Sequence, residues 1–207
     1  VTSLVQKAEA SMQRINAFML AEPDVVSGDA TAPVSPEDWT LRFKDVHFTY
    51  PDTGIRALQG VSFDLTPGRT VAITGRTGSG KSTAAQLAMR IFDPTSGDIT
   101  LGGRSLTDWD LEAFHALTGY VPQEVFLFSD RIGANIAFGL TEEERADEDL
   151  AEQVQGAARQ ARVAHNIEGF PKGYDTLLGE RGVNLSGGQK QRISIARALI
   201  RSPKFLI

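Results

Sequence analysis

Residues 75–83 read Gly75-Arg76-Thr77-Gly78-Ser79-Gly80-Lys81-Ser82-Thr83. This fits the spacing GxxxxGK[ST], set between a short apolar run (69–74) and a helical pattern (81–92). Glycines at these positions let successive backbone N–H groups turn into one concavity, and the helix that follows adds the positive end of its dipole. Such a cradle fits a polyphosphate. Lys81 can reach the β- and γ-phosphates as a point charge, and the Ser82 hydroxyl can ligate Mg²⁺. All four fixed positions and both flanks agree, so an incidental glycine-rich turn is the poorer reading. Alone, the loop specifies a nucleotide-triphosphatase or kinase and no more.

Working outward toward the N-terminus, Leu58 to Leu65 alternates as a strand and is closed by Pro67-Gly68. Before it, Leu41, Phe43, Val46, Phe48 and Tyr50 alternate with a break at Asp45, and Pro51-Asp52-Thr53-Gly54 makes the turn between the two runs. Residues 69–74 read as a short buried strand feeding the glycine loop. On the other side, Asp93-Pro94 ends the helix, residues 98–101 form another strand, and Gly119-Tyr120-Val121 reads as a core strand. From Ser129 to Phe170 the pattern is helical: Ile132, Ile136 and Phe138 mark one helix, and 149–163 another. The acidic run from Glu142 to Asp149 between them reads as a solvated helix start. A closing helix carries Ile193, Ala196, Leu199 and Ile200 on one face and leads to the strand-like Phe205-Leu206-Ile207. Strands, then helices, then a returning strand predict an α/β core with a helical insertion.

Residues 2–20 place Leu4, Ala8, Met12, Ile15 and Met19 at helical spacing, which predicts a surface helix packed on something apolar. Pro23, Gly28, Pro33 and Pro36 among polar residues mark 21–38 as a linker, so the folded domain is expected from 39 to 207 with helix 1–20 as an appendage. The composition is that of a globular chain, 41% hydrophobic and 23% charged. The net charge of −5 argues against nucleic-acid binding by phosphate neutralisation. Without cysteine there is no disulfide and no thiolate metal site. No run approaches the roughly 18 apolar residues of a membrane span. The start at Val1 and the end at Ile207 both read as cut ends.

A second glycine pair decides between the options the first loop leaves open. Leu185-Ser186-Gly187-Gly188-Gln189 also opens a helix, and a Ser hydroxyl with two glycine N–H groups makes a second anion-binding cap. Alone it would be a plain N-cap; paired with the first loop, the chain resembles the nucleotide-binding domain of an ABC transporter, whose LSGGQ signature stands unchanged at 185–189. The resemblance runs from 39 to 207. It implies a P-loop NTPase core with an antiparallel β subdomain and an inserted α-helical subdomain at about 124–190.

The same resemblance assigns roles to residues that are otherwise ordinary. Tyr50 matches the aromatic that stacks on adenine, and Gln123, in Val121-Pro122-Gln123-Glu124, matches the glutamine that meets Mg²⁺ or the attacking water and lies near the transmembrane part. The implied nucleotide-binding set is Tyr50, Gly75 to Thr83, Gln123, and Ser186, Gly187, Gly188 and Gln189, with Ser82 and Gln123 toward Mg²⁺. Gly179-Glu180-Arg181-Gly182 resembles the X-loop of exporters, and Ala10 to Ile15 followed by Glu22-Pro23 resembles the segment that joins an exporter's last transmembrane helix to this domain. The family's Walker B Asp, catalytic Glu and switch His are expected after Ile207. His47, His115 and His165 do not replace them, and the 207 residues alone are expected not to turn over ATP. The implied protein is an ATP- and Mg²⁺-dependent exporter motor at the cytoplasmic face of a bacterial plasma membrane. It would pair head to tail with a second nucleotide-binding domain and dock on a transmembrane domain. The rival readings are a non-hydrolysing ATP-binding fragment and a soluble ABC ATPase of DNA repair or translation.

Overall fold

The structure is a computed structural model, and it describes residues 2–34, 39–179 and 184–207. The chain opens with α1 (Thr2–Met19), then β1 (Leu41–Thr49) and β2 (Arg56–Leu65). There follow α2 (Lys81–Ala88), β3 (Ser96–Leu101), β4 (Arg104–Ser105), α3 (Leu111–Ala116) and β5 (Thr118–Gly119). A helical stretch comes next: α4 (Ile132–Ala137), α5 (Glu142–Arg145), α6 (Leu150–Gln160), α7 (Ala164–Glu168) and α8 (Gly187–Leu199), before β6 (Phe205–Leu206).

Four strands form one antiparallel sheet in the order β2-β1-β3-β4, and β5 and β6 pair in parallel. The alternation of Leu41, Phe43, Val46 and Phe48 slips at Asp45 because the strand bulges there, with Asp45 at φ 49° and its amide bonded to Ser62 Oγ at 2.9 Å. Two apolar cores result. One joins β1 and β3 to the inner face of α2 through Phe43, Leu87, Ile99 and Trp109. The other lies within the helical stretch, where Ile132, Ile136, Ala158, Ile167 and Ile193 are sealed from solvent. The helical insertion is thus a unit with its own core. Its acidic start is the solvated cap expected: Thr141 and Glu144 form a reciprocal capping box at α5.

Three expectations are corrected. Residues 69–74 are not a buried strand: Val71 and Ile73 are exposed, and among the described residues the run's one backbone bond, from the Arg69 amide to the Thr66 carbonyl at 3.1 Å, closes a turn and pairs no strand. A groove lined by Trp39, Leu41, Val71 and Phe205 separates it from β6, and an apolar run without a bonded neighbour does not count as strand. The helix of 81–92 ends at Ala88, and Arg90 turns back with φ 52°. Helix α1 is exposed on every side from residue 5 onward, including Met12, Ile15 and Phe18, so its apolar stripe covers nothing among the described residues. Among the described residues no helix is long and apolar enough to cross a membrane.

The stretch read as a linker is docked. The Gly28 amide donates to the Trp109 carbonyl at 2.9 Å, the Ala30 amide to Asp108 at 3.0 Å, and the Val34 amide to Gly102 at 3.0 Å. Its proline- and glycine-rich composition announces irregular backbone, and irregular backbone can still find partners for its polar groups. Helix α1 stands outside this docked segment.

Candidate nucleotide site

The glycine loop closes onto the head of α2. Gly80 is the N-cap at φ 84°, a left-handed conformation that favours glycine, and a Cβ there would run into the Ala57 carbonyl and lie 2.7 Å from Leu58 Cδ2. Strand β2 thus forces glycine one residue before Lys81. The Lys81 ammonium folds back into its own loop and donates to the carbonyls of Gly75 at 2.9 Å and Arg76 at 2.8 Å, with Ser79 Oγ at 3.5 Å. Arg76, Thr77, Gly78 and Ser79 are exposed around it. Ser82 is exposed in the first turn of α2, and its hydroxyl has no hydrogen-bond partner among the described residues.

Tyr50, just past the end of β1, is packed edge-on against Phe48 and Phe92, with centroids 4.9 and 5.7 Å away. Its hydroxyl lies 3.0 Å from Thr83 Oγ1 and donates to Gln86 Oε1 at 3.2 Å. Tyr50 is therefore fastened to the helix that carries Lys81. Thr83 is buried and turned to Tyr50, away from the loop.

The second motif forms a capping box at the head of α8. Ser186 Oγ accepts from the Gln189 amide at 3.3 Å, and Gln189 Oε1 accepts from the Ser186 amide at 2.8 Å. Gln189 thus holds the turn with its side chain. Among the described residues no atom beyond its own turn of chain lies within 4 Å of where a Cβ on Gly187 would stand, and near Gly188 the first neighbour is the flexible end of Arg192 at 3.9 Å. The packing of the described residues does not demand glycine at either place. No hydrogen bond joins this cap to the Lys81 loop among the described residues.

Gln123 is exposed on the segment between β5 and α4 and is not brought onto either loop by a hydrogen bond. Gln191, on α8, reaches the Pro122 carbonyl beside it at 3.4 Å and ties that segment to the second motif's helix. Of the exporter-like Gly179 to Gly182 loop, residues 180–182 lie outside the described residues; the Gly179 amide faces Asn184 Oδ1 at 3.4 Å. Sequence reasoning missed Gln191, Arg197 and Arg90, each of which ties a helix that begins at one of the two loops, or the turn ending it, to a distant backbone carbonyl. The signal available for Arg197 was a charged residue beside the buried stripe of Ile193 and Ala196. The three histidines sit away from both loops: His47 by Asp45, His115 by the Met89 carbonyl and His165 in α7.

The chain thus presents two loop-to-helix junctions, each rich in glycine and each offering a helix N-terminus. The ABC transporter family profile matches residues 58–207. The chain belongs to the ABC transporter family. It is 46% identical over 202 residues to an uncharacterized ABC transporter ATP-binding protein, YfiB, of Bacillus subtilis, covering 97% of this chain and 34% of that one. It is 40% identical over 207 residues to an ATP-dependent lipid A-core flippase of Alkalilimnicola ehrlichii, covering 100% and 34%. A solved bacterial Atm1-family ABC exporter with ATP bound superposes with a TM-score of 0.84 at 36% identity, over 98% of this chain and 34% of the exporter. The chain spans about a third of the length of each of these relatives. The fold is the P-loop ATPase fold with an antiparallel sheet and a helical insertion, as the sequence resemblance implied.

Proposed function

We propose that this chain is the ATP-binding motor domain of an ABC exporter, coupling ATP binding and hydrolysis to movement of a substrate across a membrane. The observation that carries the reading is the pair of junctions together with the open space at Gly187. One junction supplies a lysine loop. The other supplies a cap whose glycines face outward, cleared for something that is not this chain. A second copy or a paired domain, set head to tail, would lay its own nucleotide against that cap.

The residues support a division of labour. Lys81 exchanges the Gly75 and Arg76 carbonyls for phosphate oxygens, so the loop releases its own cation to the ligand. Tyr50 offers a ring already held in place by Thr83 and Gln86. Ser186 accepts from Gln189 and so keeps its O–H free to donate to a phosphate across the interface. Gln189 keeps that hydroxyl aimed. Ser82, unpartnered, fits Mg²⁺, which prefers one or two protein oxygens beside phosphates and water, and the ion would neutralise phosphate charge there. Gln123 and the 179–182 loop fit the side toward the transmembrane domain. The exporter subtype draws on the relatives, which include a flippase and an Atm1-family exporter, and a position at the cytoplasmic face of a membrane is what that subtype would entail.

The test is phosphate release by the full-length protein in liposomes. The expected result is Mg²⁺-dependent hydrolysis that Lys81→Ala abolishes. Hydrolysis that survives the substitution would overturn the reading.

A further inference from the structure

Arg90 occupies a position that glycine usually takes. It follows the C-cap of α2 at φ 52°, with its amide on the Leu87 carbonyl at 2.9 Å and the next amide, Ile91, on Gln86 at 2.9 Å. That is a Schellman ending, in which a left-handed residue closes the helix and a side chain is disfavoured. A non-glycine residue persists in such a conformation only where its surroundings hold it, and such residues gather where a fold does work. Here the side chain explains the choice. The guanidinium is buried, and it donates to the Trp109 carbonyl at 2.8 Å, to Val26 at 2.6 Å, to Thr107 at 3.1 Å and to Asp93 Oδ1 at 3.2 Å.

One of those carbonyls, Val26, belongs to the docked segment. Two residues on, Gly28 passes so close to the backbone of Asp108 that no Cβ fits between them. The segment is thus pressed against the Thr107–Trp109 turn that Arg90 also grips. Helix α2 is a rod of about 12 Å, with the nucleotide loop at its head and Arg90 just beyond its tail. The docked segment is the only covalent route from α1 into the domain.

We infer that Arg90 is a positioning residue that latches residues 26–30 to the tail of the P-loop helix, so that nucleotide at the head of α2 and the chain arriving from α1 are energetically coupled. This rests on the reading of the glycine loop as the nucleotide site. Seating phosphate at Lys81 orders the rod, and the ordered rod holds the latch. By linkage, whatever factor nucleotide applies to the latch, the latch applies to nucleotide.

Hydrogen exchange on the full-length protein, resolved to peptides covering 26–34, tests this beside a titration with fluorescent ATP analogue. In the wild type, ATP·Mg²⁺ slows exchange of the Gly28 and Ala30 amides roughly fivefold or more. Gly28→Ala, which pries the segment off without touching α2, speeds that exchange and weakens ATP binding by the same factor. Arg90→Gly keeps the helix ending but erases the nucleotide response. A purely structural Arg90 gives no nucleotide dependence. Wild-type protein that binds ATP while exchange at 26–34 stays unchanged overturns the latch and leaves the nucleotide site standing; wild-type protein that binds no ATP overturns both. The wild-type measurement needs no variant to fold, and exchange across β1 to β3 identifies a variant that does not.

Discussion

Arg197 on α8 and Asn135 on α4 are joined twice: Arg197 Nε donates to the Asn135 carbonyl at 2.8 Å and Nη2 to its Oδ1 at 2.9 Å. A third bond, from Nη1 to the Phe126 carbonyl at 2.9 Å, brings in the segment that follows Gln123. Asn135 in turn holds both backbone groups of Phe128, accepting from its amide at 2.8 Å and donating to its carbonyl at 3.0 Å. The guanidinium also lies over the rings of Phe128 and Phe138 at 5.6 and 5.5 Å. Burial pulls the Arg197 pKa below its ordinary value, the signature of a charge held at some desolvation cost. The helix that begins with the LSGGQ cap is therefore clamped to the loop of Gln123.

Removing that clamp takes a charged donor from the carbonyl of buried Asn135, while Asn135 Oδ1 keeps the Phe128 amide and the Phe126 carbonyl can turn to solvent. Arg197→Leu is expected to destabilise the domain by roughly 1.5–3 kcal/mol. Urea unfolding should show it as a lower midpoint with unchanged slope. Asn135→Ala should be costly too, and the double variant should fall short of the sum, because the bond from Arg197 Nη2 to Asn135 Oδ1 is lost in either single change while the bond to the Asn135 backbone carbonyl survives Asn135→Ala. Additive losses would mean the two residues act separately.

Nucleotide affinity should divide Lys81 from Tyr50. Lys81→Ala removes a charge-assisted contact worth roughly 1.5–3 kcal/mol, so affinity for a fluorescent ATP analogue should fall roughly 10- to 150-fold. Tyr50→Ala should cost about 1 kcal/mol. Tyr50→Phe loses only the hydroxyl links to Thr83 and Gln86 and keeps the ring, so it should bind within about twofold of wild type if stacking is what matters. A Phe variant as weak as Ala would transfer the role from the ring to the hydroxyl.

The lysine loop and the LSGGQ cap could be picked out because their residues are contiguous, and in the lysine loop the backbone demand is also strict; Gly80 could be nothing else beside Ala57 and Leu58. The strands of the main sheet were legible from alternation, as at Leu41, Phe43 and Phe48. What escaped depends on backbone groups, which carry no residue identity. The Gly28 and Ala30 amides find Trp109 and Asp108, and no pattern in 21–38 forecasts it. Arg90 was hidden for a sharper reason: local rules put glycine at that turn, and a long-range clamp overrides them. Residues 70–74 misled in the opposite sense, being strand-like in sequence but lacking bonded neighbours among the described residues. Tyr50 and Gln123 were singled out only by the family resemblance.

Acid should loosen the docked segment. The Asp110 carboxyl is held below its ordinary value by the Ala113 amide first and by the Ser27 hydroxyl second, and Ser27 belongs to that segment. Glu144 is lowered likewise, first by the Thr141 amide. Groups depressed in the folded state stabilise it at and above their ordinary pKa and lose that contribution as pH falls through the folded one. Urea midpoints should therefore hold steady from neutral pH down to the ordinary carboxylate range and fall below it. Asp110→Asn retains an acceptor for Ala113 without the charge and should make the acid decline shallower. Because Asp110 is open to solvent, the difference should be small and shrink with salt. An identical decline in the variant would remove Asp110 from the account.

Gly187 separates folding from function most cleanly. Among the described residues the space around its missing Cβ is open, and glycine at the first position of α8 is entropically unfavourable. Gly187→Ala should therefore leave the urea midpoint unchanged or raise it slightly, and monomeric ATP binding should be normal. If the cap closes on a partner's nucleotide, the added methyl group, and more so the bulk of Ser186→Arg, should prevent closure and abolish hydrolysis in the full-length protein. Mixing Ser186→Arg with Lys81→Ala then distinguishes a cap that serves the partner from one that serves its own chain. When the cap acts in trans, each mixed dimer has one site with both defects and one with neither. Random mixing of equal amounts should restore about a quarter of wild-type hydrolysis if the two sites fire independently. Were the cap to act within its own chain, every site in every dimer would carry one defect, and the mixture would stay as inactive as either parent. A silent mixture accompanied by ATP-driven dimerisation would point instead to sites that must fire together. A silent mixture without dimerisation would count against the head-to-tail arrangement itself.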